Sequence, residues 1–204
     1  MGYRLALLVT GASGVRLPLR FLATAARHPQ LERLHLVVSS GASLVLKHEA
    51  ALSPPGARGL LEAAELAPEH RERVVAHRDS ELDAAIASGS YRLDGTVVLP
   101  CSAATLGALA SGTGATLIHR AGAVALKERW PLLLGFRETP LALVHLENLR
   151  RLAYAGAVIA PPVPAFYAGE ELDEFLDAYV LRLFDHLGIP LPELAHLRWG
   201  SEGG

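Results

Sequence analysis

The sequence predicts a single-domain α/β protein, a three-layer, doubly wound, Rossmann-like fold around a parallel sheet. Three observations carry that prediction. Short apolar runs of strand length alternate with segments of helical period along the whole chain, which implies parallel strands joined by right-handed crossovers. Hydrophobic residues make up 50% of the chain and mean hydropathy is +0.27, as suits a sheet covered on both faces. The first run also opens straight into a small-residue turn, Thr10-Gly11-Ala12-Ser13-Gly14, that precedes a helix.

In chain order, the first strand is expected at 5–10 and its helix at 17–26; a second strand at 34–39 leads to a helix at 42–50. The stretch 53–78 is rich in Pro, Gly and charge and reads as a surface excursion, with a weaker apolar run at 74–77 near its end. Helical period returns at 82–87, a strand at 96–100, and helices at 104–110 and 117–129. The run 132–136 lies between Lys127-Glu128-Arg129 and Arg137-Glu138, so it reads as a buried strand with charge at both ends. A helix at 143–154, a strand at 157–160 and a helix at 172–187 complete the pattern. Residues 1–192 form the expected domain and 193–204 a C-terminal tail, its Trp199-Gly200-Ser201-Glu202-Gly203-Gly204 end partly disordered unless Trp199 packs on a neighbouring subunit.

Composition removes several function classes. The 204 residues carry a net charge of −2 with dispersed cations, so the footprint of a nucleic-acid binder is missing. Nothing approaches the roughly 20 unbroken apolar residues of a membrane span, and Met1-Gly2-Tyr3-Arg4 lacks the parts of a secretory signal. The expected location is cytoplasmic. Cys101 stands alone, so neither an internal disulfide nor a cysteine-based zinc site can form. Nine histidines occur without HExxH or paired spacing, which argues against a metal site.

Ligands of open α/β sheets collect outside the carboxyl ends of the strands, and several strand ends here are suited to that role. Gly11-Ala12-Ser13-Gly14 lets backbone N–H groups at a helix start approach a phosphate, yet it is neither GxGxxG nor a Walker loop. Ser39-Ser40-Gly41-Ala42 and Pro100-Cys101-Ser102-Ala103-Ala104-Thr105 repeat the theme of a small hydroxyl before a helix. Together they describe a polar cradle for a flat, phosphorylated cofactor. Arg137-Glu138-Thr139-Pro140-Leu141, continued by Val144-His145-Leu146-Glu147-Asn148, adds cation, carboxylate and imidazole beyond the fifth strand, a cluster suited to chemistry on an anion. Arg120 and Lys127 lie seven apart on one helix face, Arg182 rides on the last helix, and the stiff 161–167 loop presents Phe166 and Tyr167.

These motifs, in this order, resemble the UbiX-type flavin prenyltransferases, formerly described as aromatic acid decarboxylases. The segments that carry the likeness are Gly11-Ala12-Ser13-Gly14, Pro100-Cys101-Ser102, Arg120-Ala121 with Leu126-Lys127-Glu128-Arg129, Arg137-Glu138-Thr139-Pro140-Leu141, His145-Leu146-Glu147-Asn148 and Pro161-Pro162-Val163-Pro164-Ala165-Phe166-Tyr167. The resemblance implies an FMN-binding homo-oligomer, commonly a dodecamer built from trimers, with active sites at subunit junctions. It implies transfer of a dimethylallyl group from dimethylallyl monophosphate to N5 and C6 of reduced FMN without a metal, the product serving a UbiD-type decarboxylase. Residue by residue, Gly11, Ala12, Ser13, Ser39, Ser102, Ala103, Ala104, Thr105 and Arg137 match flavin-binding positions. Arg120 falls in a matching segment, and Lys127, Arg137, Glu138, Tyr167 and Arg182 match the positions around the prenyl phosphate. Glu49 matches a proton-handling carboxylate; with Glu138 as general acid toward the departing phosphate, and Ser13, it forms the expected catalytic set.

The chain departs from the family pattern at Leu17-Pro18, Ser40, Ala115-Thr116, Ala123 and Trp130, mostly flavin-shell, helix or packing positions. Two other functions compete on sequence grounds: an FMN-dependent cysteine decarboxylase-type flavoprotein, which would want an early catalytic His and an Asn-containing substrate motif, and a non-catalytic FMN carrier or scaffold.

Overall fold

In the computed structural model, which describes residues 2–200, six strands form one sheet: β1 (Tyr3–Val9), β2 (Leu31–Val38), β3 (Val74–Arg78), β4 (Gly95–Cys101), β5 (Leu132–Phe136) and β6 (Val158–Ile159). Their order is β3-β2-β1-β4-β5-β6 and every pairing is parallel. The chain therefore winds outward from β1 in one direction and then from β4 in the other. This is the doubly wound order, and its switch point lies between β1 and β4, where ligand crevices open. The expected fold class holds.

Helices α1 (Arg16–Arg27), α2 (Ser40–Ala50), α3 (Ala57–Ala63), α4 (Pro68–Arg71), α5 (Ala103–Ser111), α6 (Leu117–Glu128), α7 (Leu143–Tyr154) and α8 (Leu172–Leu187) cover the sheet. Strand residues alternate between two buried cores, as the two-residue period requires. Leu5, Leu7 and Val9 of β1 face α1 and α8, where the rings of Phe21 and Phe184 lie 5.2 Å apart. Ala6 and Leu8 face the opposite core with Leu106, Ile118 and Ala121 of α5 and α6. On α8, Leu176, Val180, Leu183 and Phe184 recur at helical spacing and are all buried. The helix stops at Gly188, whose φ of +70° suits the left-handed end of a helix.

Two expectations need correction. The segment at 82–87 is not an α-helix: only a 3-10 turn forms at Ala85–Ala87, and it seats Ile86 in the second core. Seating one isoleucine needs no more than a turn, and no side chain caps the start of the segment. Nor is 53–78 merely a surface excursion. It holds α3, α4 and β3, and Leu60, Leu61 and Ala64 are buried in the first core. The Ser53-Pro54-Pro55-Gly56 run hides that helix, since its breakers lie just upstream.

Beyond α8, a 3-10 helix at Pro192–Leu197 packs on α8, Arg198 forms a two-pronged ion pair with Asp185, and the Trp199 ring meets Tyr167 edge-on. The end of the expected tail, residues 201–204, lies outside the described residues.

Candidate functional site

Above the carboxyl ends of β1, β2, β4 and β5 lies an open cavity of about 610 Å³, within the ordinary range for a small-ligand site. The loops around it are tied together locally. The Thr10 hydroxyl donates to the Pro100 carbonyl at 2.8 Å and accepts the Ser102 N–H at 2.7 Å, so the turns after β1 and β4 sit side by side. Gly11 abuts the turn after β2: a Cβ there would stand 3.0 Å from the Gly41 carbonyl carbon. Without a side chain at either position, the backbone of both turns is open to a ligand.

Three helices begin at this rim, each capped by a hydroxyl. Ser39 accepts the Ala42 N–H at 3.0 Å on α2, Ser102 accepts the Thr105 N–H at 3.3 Å on α5, and Thr116 accepts the His119 N–H at 3.4 Å on α6. Each cap is worth about 1 kcal/mol to its helix. The functional consequence is larger, because three partially positive helix starts converge on one concavity and favour an anion there. Arg137 adds a full charge, and its N–H bonds the Cys101 carbonyl at 3.3 Å, fixing the loop to β4.

Of the residues the sequence singles out, Gly11, Ala12, Ser13, Ser39, Ser102, Ala103, Ala104, Thr105, Arg137 and Glu138 all line this cavity. Glu49 stands behind the first turn, where its Oε2 accepts the Gly14 N–H at 3.0 Å and the Val15 N–H at 3.4 Å. Desolvation alone would raise its pKa. Hydrogen bonds from the Ser13 hydroxyl and the Gly14 and Val15 amides, with the nearby Arg137 charge, outweigh that and hold the carboxyl below its usual value. Glu49 is thus an ionised brace of the first turn.

The remaining cations are not at this rim within one chain. Arg120 and Lys127 share a wall of a second cavity, with Asp83, Ser88 and Gly89. Tyr167 and Arg182 line a third, with Trp199. Lys127 contacts the carboxylate of Glu128 beside it. Both side chains are substantially exposed, so that pair contributes at most about 1 kcal/mol and does not lock Lys127 away from a stronger anion.

Asp79, Ile118 and His119 also line the cavity, and no motif in the sequence marks them. Asp79 follows β3 and accepts the Leu117 N–H at its carbonyl (2.8 Å) and the Ile118 N–H at its carboxylate (3.0 Å), which ties the start of α6 to the rim. His119 lines the wall, and its Nδ1 is buried without a partner among the described residues. The small-residue cradle, the three helix starts and Arg137 fit a flat nucleotide carrying a phosphate. Among the described residues no three His, Cys, Asp or Glu side chains gather as metal ligands, and no helix is long and apolar enough to cross a membrane.

Residues 1–175 match the family described as Flavoprotein. The Escherichia coli (strain K12) protein named flavin prenyltransferase UbiX is 40% identical over 197 residues, spanning 96% of this chain and 97% of that one. The crystal structure of a dodecameric FMN-dependent UbiX-like decarboxylase from E. coli O157:H7 superposes with a TM-score of 0.80 at 35% identity, covering 93% of this chain and 96% of that one. AnUbiX, crystallised with FMN and dimethylallyl pyrophosphate, gives a TM-score of 0.78 at 36% identity, with 93% and 94% covered.

Proposed function

We propose, from the premise that this chain belongs to the Flavoprotein family and within it to the UbiX-type flavin prenyltransferases, that it transfers a dimethylallyl group from dimethylallyl monophosphate to N5 and C6 of reduced FMN. The observation that carries the reading is the convergence of three capped helix starts and Arg137 on one cradle of small residues at the sheet's switch point.

In this reading the turns at Gly11–Ser13, Ser39 and Ser102–Thr105 hold FMN, and its reduced ring supplies the electron-rich atoms that accept the allyl group. The chain's own part is to release phosphate. The allylic C–O bond breaks with its electron pair going to the phosphate oxygen, so fixed cations near that oxygen stabilise the transition state more than the ground state. Arg137 serves from the rim, and Glu138 gives its proton to the leaving group. Arg120, Lys127, Tyr167 and Arg182 bind the same phosphate once neighbouring subunits carry their cavities to the rim. A dodecameric relative supports such an assembly, as does the exposed apolar set Leu141, Leu143, Val144 and Leu146 that flanks Glu138. Glu49, kept ionised, holds the first turn in shape and, in this reading, takes up a proton when the second bond forms. The product is a cofactor for a UbiD-type decarboxylase, and the enzyme works in the cytoplasm, where the lone Cys101 stays reduced.

Anaerobic single turnover with reduced FMN tests the reading, with dimethylallyl monophosphate in one arm and the diphosphate in another. Phosphate release is expected with the monophosphate, slowed at least about tenfold in Glu138→Gln with FMN affinity kept, the order of a lost general acid. Parental rates in that variant would remove Glu138 from the chemistry.

A further inference from the structure

His145 belongs to the charged cluster that marks the sequence, yet it does not line the cavity. Its surroundings give it a different task. The site-bearing loop, residues 137–141, leaves β5 at Phe136 and enters α7 at Ala142. His145 touches both ends. Its ring meets the Phe136 ring edge-on, with centroids 5.7 Å apart at 63°, and its Nδ1 accepts the Ala142 N–H at 3.2 Å.

Ala142 has no side-chain oxygen to cap α7, so the imidazole three residues on supplies the reciprocal half of a capping interaction. Accepting at Nδ1 requires the proton to sit on Nε2, which fixes the neutral tautomer. One side chain thus closes the short loop like a clasp, through ring contact on the entering side and a hydrogen bond on the leaving side.

We infer that His145 is a positioning residue for prenyl transfer, holding Arg137 and Glu138 at the rim without touching FMN or phosphate. The inference rests on the proposed reaction. A loop freed at one end lets both side chains drift, and misplacement on the ångström scale is enough to cost orders of magnitude in rate.

Four proteins separate the possibilities: the parent, His145→Ala, His145→Phe, which keeps a ring but no acceptor, and His145→Gln, which keeps an acceptor suited to that helix position. The readouts are kcat and KM for dimethylallyl monophosphate with reduced FMN, the Kd for FMN, and the melting temperature. Expected are a fall in kcat of about tenfold or more in His145→Ala and His145→Phe, with FMN Kd within about twofold, and recovery to within about threefold of the parent in His145→Gln. Parental kcat in His145→Ala or His145→Phe would overturn the inference. So would a loss in His145→Gln as deep as in His145→Ala, or losses that follow melting temperature alone. A parent that fails to prenylate FMN would sink the proposed reaction instead; should His145→Ala not fold, the Phe and Gln pair decides the matter.

Discussion

At the residue scale, burial separates groups that hold the fold from groups free to act. His35 on β2 is buried and bonded on both ring nitrogens, to Tyr91 Oη and His77 Nε2, each at 2.9 Å. Burial, reinforced by His77, Arg33 and Arg4, lowers its pKa from 6.5 to about 4. The unfolded chain therefore takes up a proton that the folded chain refuses, and stability falls as pH drops from about 6.5 toward about 4. Urea midpoints should decline across that window and decline less in His35→Leu; a parent midpoint that rose on acidification would contradict the assignment. The rim residues are the opposite case. Arg137 and Glu138 are exposed, spend nothing on the core, and were legible in the sequence because charge directly abuts a fully apolar strand. Asp79 and His119 were not legible. Asp79 follows the least regular apolar run, and His119 sits inside a helical run, where only packing shows that it lines the cavity.

At the scale of elements, helix starts and turns decide where ligand binds. The sequence marks Ser39 and Ser102 because a small hydroxyl precedes a helical run; Ser102 caps as that position suggests, and Ser39 caps α2 as well. Strand β5 and helices α7 and α8 have the bounds that periodicity assigns them. Periodicity misleads at 82–87, where a turn is enough to bury Ile86, and composition misleads at α3, whose buried Leu60 and Leu61 follow a Pro- and Gly-rich run. The close approach of Gly11 to Gly41 could not be read locally, since it joins turns thirty residues apart. It makes a direct prediction. Gly11→Val should push the two turns apart and weaken FMN binding at least about tenfold while the far-ultraviolet circular dichroism stays parental, because the added atoms meet backbone that cannot yield cheaply. Unchanged flavin affinity in a fluorescence titration would show that the contact does not shape the cradle.

At the scale of the whole molecule, one chain carries the cradle proposed for the flavin, while the cations proposed to hold the phosphate lie along two other cavities. A closed oligomer resolves this only if one subunit supplies Glu138 while another supplies Lys127. Co-expressing Glu138→Gln with Lys127→Ala chains, each impaired alone, should then restore roughly a quarter of parental activity from randomly formed intact junctions. Activity no higher than that of either variant alone would mean both residues act within one chain. Prenylation of a flavin at this rim is checked by mass spectrometry of the flavin released after anaerobic incubation with reduced FMN and dimethylallyl monophosphate. FMN heavier by one dimethylallyl-derived unit is expected, with free phosphate formed in equal amount. Recovery of FMN at its original mass, from a protein that binds FMN and assembles, would contradict it.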